Sequence, residues 1–388
     1  MLCSVHRRQF LLDTSLRLGS IALTPGFLRA QKQTSREDAL QSIAALEKEI
    51  PRMMEETHVP GLSIAIVRDA RVLWRRGFGV KRAGSNQRVD KDTVFEVGSV
   101  SKTVFAYAVM KLHERGVLDL DTPLTRYTPL RILDGDPRLD LITARHVLSH
   151  TSGLQNWRSE REPLTIHFTP GARYLYSGEG YNYLQSVVTH LTGHVDPTRC
   201  ATFEDGLKVC ATDFDSYMHA NLLVPFRMTS SGYVATKEYD RHVADPHDAK
   251  GQPLSVRKPT DIDAARYGAA GLLHTTPADY ARFLIEMLDP KPSDRFRLDK
   301  RTIAEMVRPH IKGGDSPESS RALGWEVVHS ADDDSIVHGG DNSGFHAFAA
   351  ASLKRRTGYV FMMNGDGGID LLKKLIIGET TLNRLLGA

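Results

Sequence analysis

A chain of 388 residues, 41% hydrophobic and 25% charged, can bury a large core and has the composition of an ordinary globular protein. Its formal net charge is +3 and it carries no long block of Lys and Arg, which argues against nucleic acid as a partner.

The chain begins MLCSVHRRQFLLDTSLRLGSIALTPGFLRAQ. Arg7 and Arg8 precede an apolar stretch from Phe10 to Phe27 that Asp13, Arg17 and Pro25 interrupt, too broken to span a membrane. Arg-Arg followed by Phe10 and Leu11 resembles a twin-arginine export signal, placed at residues 1–30. An amphipathic first helix is the competing reading, and Leu28 stands where a cleavage site wants a small residue. Export would take Cys3 away and place the mature chain in the periplasm or outside the cell.

SREDALQSIAALEKEIPRMMEE then shows apolar residues at helical spacing behind a Ser35 cap. GLSIAIVRDARVLWRRGFGV reads as two strands around a turn at Asp69 and Ala70. From Ser99, the residues Val104, Phe105, Ala108, Val109 and Leu112 recur at helical spacing, and Gly116 is a fitting stop. A helical, loop-rich middle follows as far as Arg266. Within it, Cys200 and Cys210 lie in a polar stretch expected to be a loop, where an oxidising compartment would let them close a ring. Two unlinked thiols are the alternative. HAFAAASLKRRTGYVFMMNGD reads as a second hairpin turning near Arg356 to Gly358, and GIDLLKKLIIGETTLNRLLG as a terminal helix. Strands at both ends of the chain predict an α/β (α+β) fold with one antiparallel sheet completed by both termini and flanked by helices, plus an α-helical lobe. On this reading residues 31–388 form a single domain. Its α/β lobe takes in about residues 35–98 and 267–388, and its helical lobe about residues 99–266.

The pair Ser99 and Lys102 opens the first helix of the middle segment on one face. A helix N-terminus offers amides to an oxyanion, and a lysine amine one turn on can accept the serine proton. The same S-x-x-K spacing recurs at Ser255 and Lys258, but Pro259 disfavours a helix there and no apolar face follows. A neutral lysine at pH 7 requires about 4 kcal/mol of environmental bias, supplied by burial, a second cation or a tyrosine that shares the proton.

Three further segments complete the frame: VLSHTSGL from Val147, FTPGARYLYSGEGYNYLQ from Phe168 and HGGDNSGF from His338. In this order, over roughly Gly61 to Gly365, they resemble the serine β-lactamase and penicillin-binding-protein superfamily, in its class C β-lactamase-like branch. That branch also contains esterases and D-amino-acid-specific peptidases. The resemblance implies Ser99 as an acylated nucleophile, Lys102 as its base and Tyr176 as the proton relay. It places His338, Gly339 and Gly340 in the strand bordering the substrate, and makes Ser99 N–H and Asp341 N–H the oxyanion hole. It implies an ester or amide substrate and no metal or cofactor.

Two departures point to the esterase-like relatives. Gly178 stands for the asparagine of Y-x-N, and His338 for the lysine of K-T-G. A true β-lactamase or D-amino-acid-specific peptidase is the alternative within the family. A binding or sensor protein that keeps the fold without turnover is the alternative outside enzymology, and the intact Ser99, Lys102 and Tyr176 argue against it. Ser149 and His150 read as a polar turn closing a helix rather than a dyad. His190 and His194 lack the glutamate of a zinc helix, with Gly193 as a helix end.

Overall fold

The computed structural model describes residues 36–158, 162–193, 203–256, 258–291, 294–313, 319–330, 333–377 and 380–386. The export segment, Ser35, His194 and Cys200 lie outside these residues.

Ten strands are described: β1 (Gly61–Arg68), β2 (Arg71–Gly79), β3 (Phe95–Glu96), β4 (His274–Thr275), β5 (Ile311–Lys312), β6 (Ser319–Arg321), β7 (Glu326–Val328), β8 (Ser335–Asn342), β9 (Phe345–Ser352) and β10 (Thr357–Met363). Eight of them form one sheet in the order β2-β1-β10-β9-β8-β7-β6-β5, and β3 pairs with β4. Every pairing between these strands is antiparallel. The first and last long strands meet in register, Leu62 opposite Met363 and Ile66 opposite Tyr359, so both chain ends do complete one sheet. Asp69 and Ala70 turn the first hairpin with φ of 52° and 54°. The second hairpin turns one step earlier than expected, with Arg356 at φ 56° and Gly358 already in β10.

Alternation sorts each strand onto two cores. Leu62, Ile64 and Ile66 face one side with Phe348, Ala350 and Phe361, and there they meet helix α1 (Arg36–Glu56) and the C-terminal helices. Ala65, Val67, Ala347, Ala349 and Ala351 face the other core, which is shared with the helical part of the chain. At its centre is α2 (Ser101–Glu114), buried from Ser101 to Leu112. A helix buried all round must satisfy its polar side chains internally. Ser101 Oγ donates to Gly98 O at 2.6 Å and accepts from Leu273 N at 2.9 Å, and Thr103 Oγ1 meets Tyr280 Oη at 2.8 Å.

Around it stand α3 (Ala144–Leu148), α4 (Gly178–Thr192), α5 (Phe203–Met218), α6 (Lys237–His242), α7 (Asp261–Tyr267), α8 (Pro277–Leu288) and α9 (Lys300–Val307). Helix α5 corrects the loop expected around Cys210: Ala211, Phe214 and Met218 recur at helical spacing and are fully buried. The expected single terminal helix is two, α10 (Gly368–Ile376) and α11 (Thr381–Leu386). Among the described residues no helix is long and apolar enough to cross a membrane.

Candidate active site

Ser99 lies in a 3₁₀ turn, Gly98–Val100, that leads directly into α2. Strand β8 presses on this turn so closely that two positions admit only glycine. A Cβ on Gly340 would lie 2.0 Å from Val97 O and 2.8 Å from Ser99 N. A Cβ on Gly98, at φ 50°, would lie 2.6 Å from Asp341 N. The backbones carrying the Ser99 and Asp341 amides are therefore in contact.

Lys102 is fully buried, with Nζ 3.0 Å from Ser99 Oγ and donating to Ala270 O at 2.5 Å. The Ala270 carbonyl belongs to a π-helical turn, Gly268–Leu272, fixed by Gln185, which accepts from Ala269 N at 2.6 Å and donates to Ala264 O at 2.7 Å. Three ring faces also lie near the amine: Tyr176 at 5.1 Å, Tyr181 at 5.4 Å and Trp157 at 5.9 Å. Burial alone brings its pKa from 10.5 to about 7. Of the routes open in the sequence, desolvation is the one this site uses. An amine part-neutral at pH 7 and in contact with a hydroxyl can take its proton.

Tyr176 precedes α4, and its ring stacks on His150 at 4.2 Å and 26°. His150 sits at φ 56° and accepts the Ser177 N–H on Nδ1 at 3.1 Å, which leaves its proton on Nε2. Burial first, then the charges of Arg321 and Lys102, hold its pKa well below the usual histidine range. Ser149 Oγ donates to Arg145 O and meets Thr151 Oγ1. The polar-turn reading of these two residues therefore holds, and His150 shelves the Tyr176 ring. Ser255 and Lys258 are exposed in a loop, with Lys258 paired to Asp240 at 2.7 Å.

His338 projects from β8 onto the same face. It is buried, and Nδ1 donates to Gly339 O at 2.6 Å. Burial, followed by the charges of Lys102 and Arg321, pushes its pKa down to about 3, so it is neutral. Asp341 contributes only backbone here, because its carboxylate pairs with His346 on the opposite face of the sheet. Gly178 opens α4 and donates its N–H to Asn156 Oδ1 at 2.9 Å.

Two residues at this site carried no signal in the sequence. Arg321, in the three-residue strand β6, is buried, pairs with Glu326 at 3.1 Å and lies 5.0 Å from the Tyr174 ring and 5.9 Å from that of Tyr176. Trp157 comes from a loop whose indole lies against Gly178.

The sequence signature of the Beta-lactamase family matches residues 46–377. The chain belongs to that family. Among curated relatives, "Protein flp" of Staphylococcus aureus (strain N315) is 21% identical over 344 residues, covering 82% of this chain and 62% of its own length. "Esterase EstB" of Burkholderia gladioli is 27% identical over 267 residues, covering 60% of this chain and 62% of the relative. The chain thus spans about three fifths of the curated relatives it matches. Among solved structures, D-alanine carboxypeptidase AmpC from Burkholderia cenocepacia superposes with a TM-score of 0.70 at 20% identity, covering 91% of this chain and 99% of the other. A class C β-lactamase superposes with a TM-score of 0.68 at 19% identity, covering 92% and 99%. At these identities the superpositions establish the β-lactamase/transpeptidase-like fold of this family member.

Proposed function

We propose that this chain is an exported serine hydrolase, with residues 31–388 as one catalytic domain, that cleaves a small uncharged ester through an acyl-enzyme on Ser99. The observation that carries this reading is the buried Lys102 amine, 3.0 Å from Ser99 Oγ with its pKa brought to about 7. Ser99 Oγ attacks the ester carbonyl, and its proton passes to Lys102 Nζ. Tyr176, whose ring lies beside that amine, carries the proton to the departing alkoxide. The amides of Ser99 and Asp341 stabilise the oxyanion. Water then attacks the acyl carbon and releases the acid and Ser99. Export rests on the Arg7-Arg8 pattern at the N-terminus.

Esters rather than β-lactams follow from the two departures, His338 and Gly178. A neutral His338 and a Gly178 without side chain offer neither a cation nor an amide to a carboxylate-bearing, amide-substituted substrate. Loss of one charge-assisted and one neutral hydrogen bond removes about 2–4.5 kcal/mol, or about thirty-fold to two-thousand-fold in rate. Two measurements test the reading. A fluorophosphonate probe should label the wild type and spare Ser99→Ala; equal labelling of both ends the Ser99 assignment. At pH 7.5, kcat/KM should be higher for a p-nitrophenyl ester than for a chromogenic cephalosporin, and the reverse order contradicts the ester reading.

A further inference from the structure

Position 178 and Trp157 form a complementary pair. A Cβ at Gly178 would lie 2.5 to 2.7 Å from three atoms of the indole's six-membered ring. The indole fills the space that any side chain at 178 would need. The loop behind it is tied to the start of α4 at successive residues. Ser177 Oγ donates to Gln155 O at 2.9 Å, Gly178 N to Asn156 Oδ1 at 2.9 Å and Glu179 N to Asn156 O at 2.9 Å. Arg158 Nε adds an ion pair to Glu179 at 3.3 Å. On its other side the indole meets the Tyr267 ring edge-on, at 6.0 Å and 76°. Both rings are half-buried, so each keeps part of its surface exposed. The indole centroid is 5.9 Å from Lys102 Nζ, which is itself 3.0 Å from Ser99 Oγ.

We propose that Trp157 is the specificity-determining wall for the acyl group held on Ser99, and that this group is flat and apolar, as in an arylacetyl ester. The proposal deepens the reading of Ser99 as nucleophile and rests on it. Residue 178 offers a polar substituent no partner, because it has no side chain and its amide is already bonded to Asn156. An aromatic ring would instead pack against the exposed part of the indole. Gly178 is thereby explained as well: it is the residue that admits the indole.

The test compares kcat/KM for p-nitrophenyl phenylacetate and p-nitrophenyl acetate, and separately for acetyl esters of different alcohols. The wild type should favour phenylacetyl over acetyl, and Trp157→Ala should lower that ratio about tenfold. Trp157→Phe should retain most of it. Gly178→Ala, which displaces the indole, should lower the ratio to the same level and add nothing once Trp157 is alanine. Should Trp157→Ala not fold, Gly178→Ala and Trp157→Phe decide the matter. A ratio unmoved in Trp157→Ala or Gly178→Ala, or one moved only when the alcohol is varied, overturns the proposal while leaving Ser99-dependent hydrolysis standing. A wild type without Ser99-dependent ester hydrolysis overturns the functional reading and this proposal together.

Discussion

His338 and His346 belong to one hairpin, β8–β9, and both are buried, yet they hold opposite charge states. His338 faces the cations Lys102 and Arg321, which reinforce the effect of burial and take its pKa to about 3. His346 faces the other way. Burial opposes its charge too, but the Asp341 carboxylate bonded to Nδ1, and Asp366 at 3.7 Å from Nε2, raise it to about 9. Burial penalises charge on both faces, and the sign of the neighbours decides which histidine keeps its proton. The consequence is a division of labour across one strand. The front is a buried surface with a part-neutral lysine. The back is an imidazolium between two carboxylates, one of which, Asp366, also accepts the Gly344 N–H of the hairpin turn at 2.9 Å. That ionic clamp fixes the segment whose Asp341 backbone meets the Ser99 turn.

The largest expected effect lies on the front. With Lys102 near 7, the neutral base grows as pH rises, so kcat/KM should climb about tenfold per pH unit below 7 and level off above it. Lys102→Ala should lose about 10³-fold or more and abolish that limb. An acid limb unchanged in Lys102→Ala would assign it to another group. Stability follows the same pKa with a definite sign. The unfolded chain holds the lysine proton up to ~10.4, so burial costs most below pH 7, about 5 kcal/mol, and that cost vanishes as pH rises through the window from about 7 to ~10.4.

The back should behave in the opposite sense. A histidine raised from ~6.5 to about 9 stabilises the fold fully below ~6.5, and that contribution is lost as pH rises through about 9. It amounts to about 3 kcal/mol. His346→Gln should therefore lower the urea midpoint strongly at pH 6, and the gap to wild type should narrow by pH 10. A gap constant over that range would mean that the ion pair is not what His346 contributes.

Sequence reasoning reached the parts of this site whose determinants are local. The β1–β2 hairpin was legible because a two-residue turn joins two strand-forming runs. The contact between Ser99 and Lys102 was legible because a helical pattern follows them, and the match with Ser255 failed on a proline. Trp157 and Arg321 were not legible. Each arrives from a loop or a three-residue strand, and its partners are far along the chain: Gly178 and Tyr267 for the indole, Tyr174 and Tyr176 for the guanidinium. No periodicity encodes such contacts. Helix α5 was hidden differently, since its charged face reads as loop and only the burial of Ala211, Phe214 and Met218 reveals its other side. The packing also bears on the departure from the family pattern at position 178. Asparagine there, like any side chain, must displace the Trp157 indole, which already occupies the space.

The smallest expected effect is the sharpest check on the contrast between the two histidines. If His338 is neutral at every pH where the enzyme works, it places no charge beside Lys102, and replacing it with another uncharged group should leave the amine's titration where it is. His338→Gln should then shift the acid limb of kcat/KM by less than about 0.3 pH unit, roughly 0.4 kcal/mol. A protonated His338 would predict something else. Its positive charge would be holding the Lys102 pKa down, so glutamine in its place would raise that pKa and carry the limb toward higher pH. The size would be clear, since like charges a few ångströms apart in a buried site shift one another by about one pH unit or more. The same substitution at His346 would move stability and leave the limb alone. A limb that moves upward in His338→Gln would therefore erase the distinction between the front and back of the hairpin.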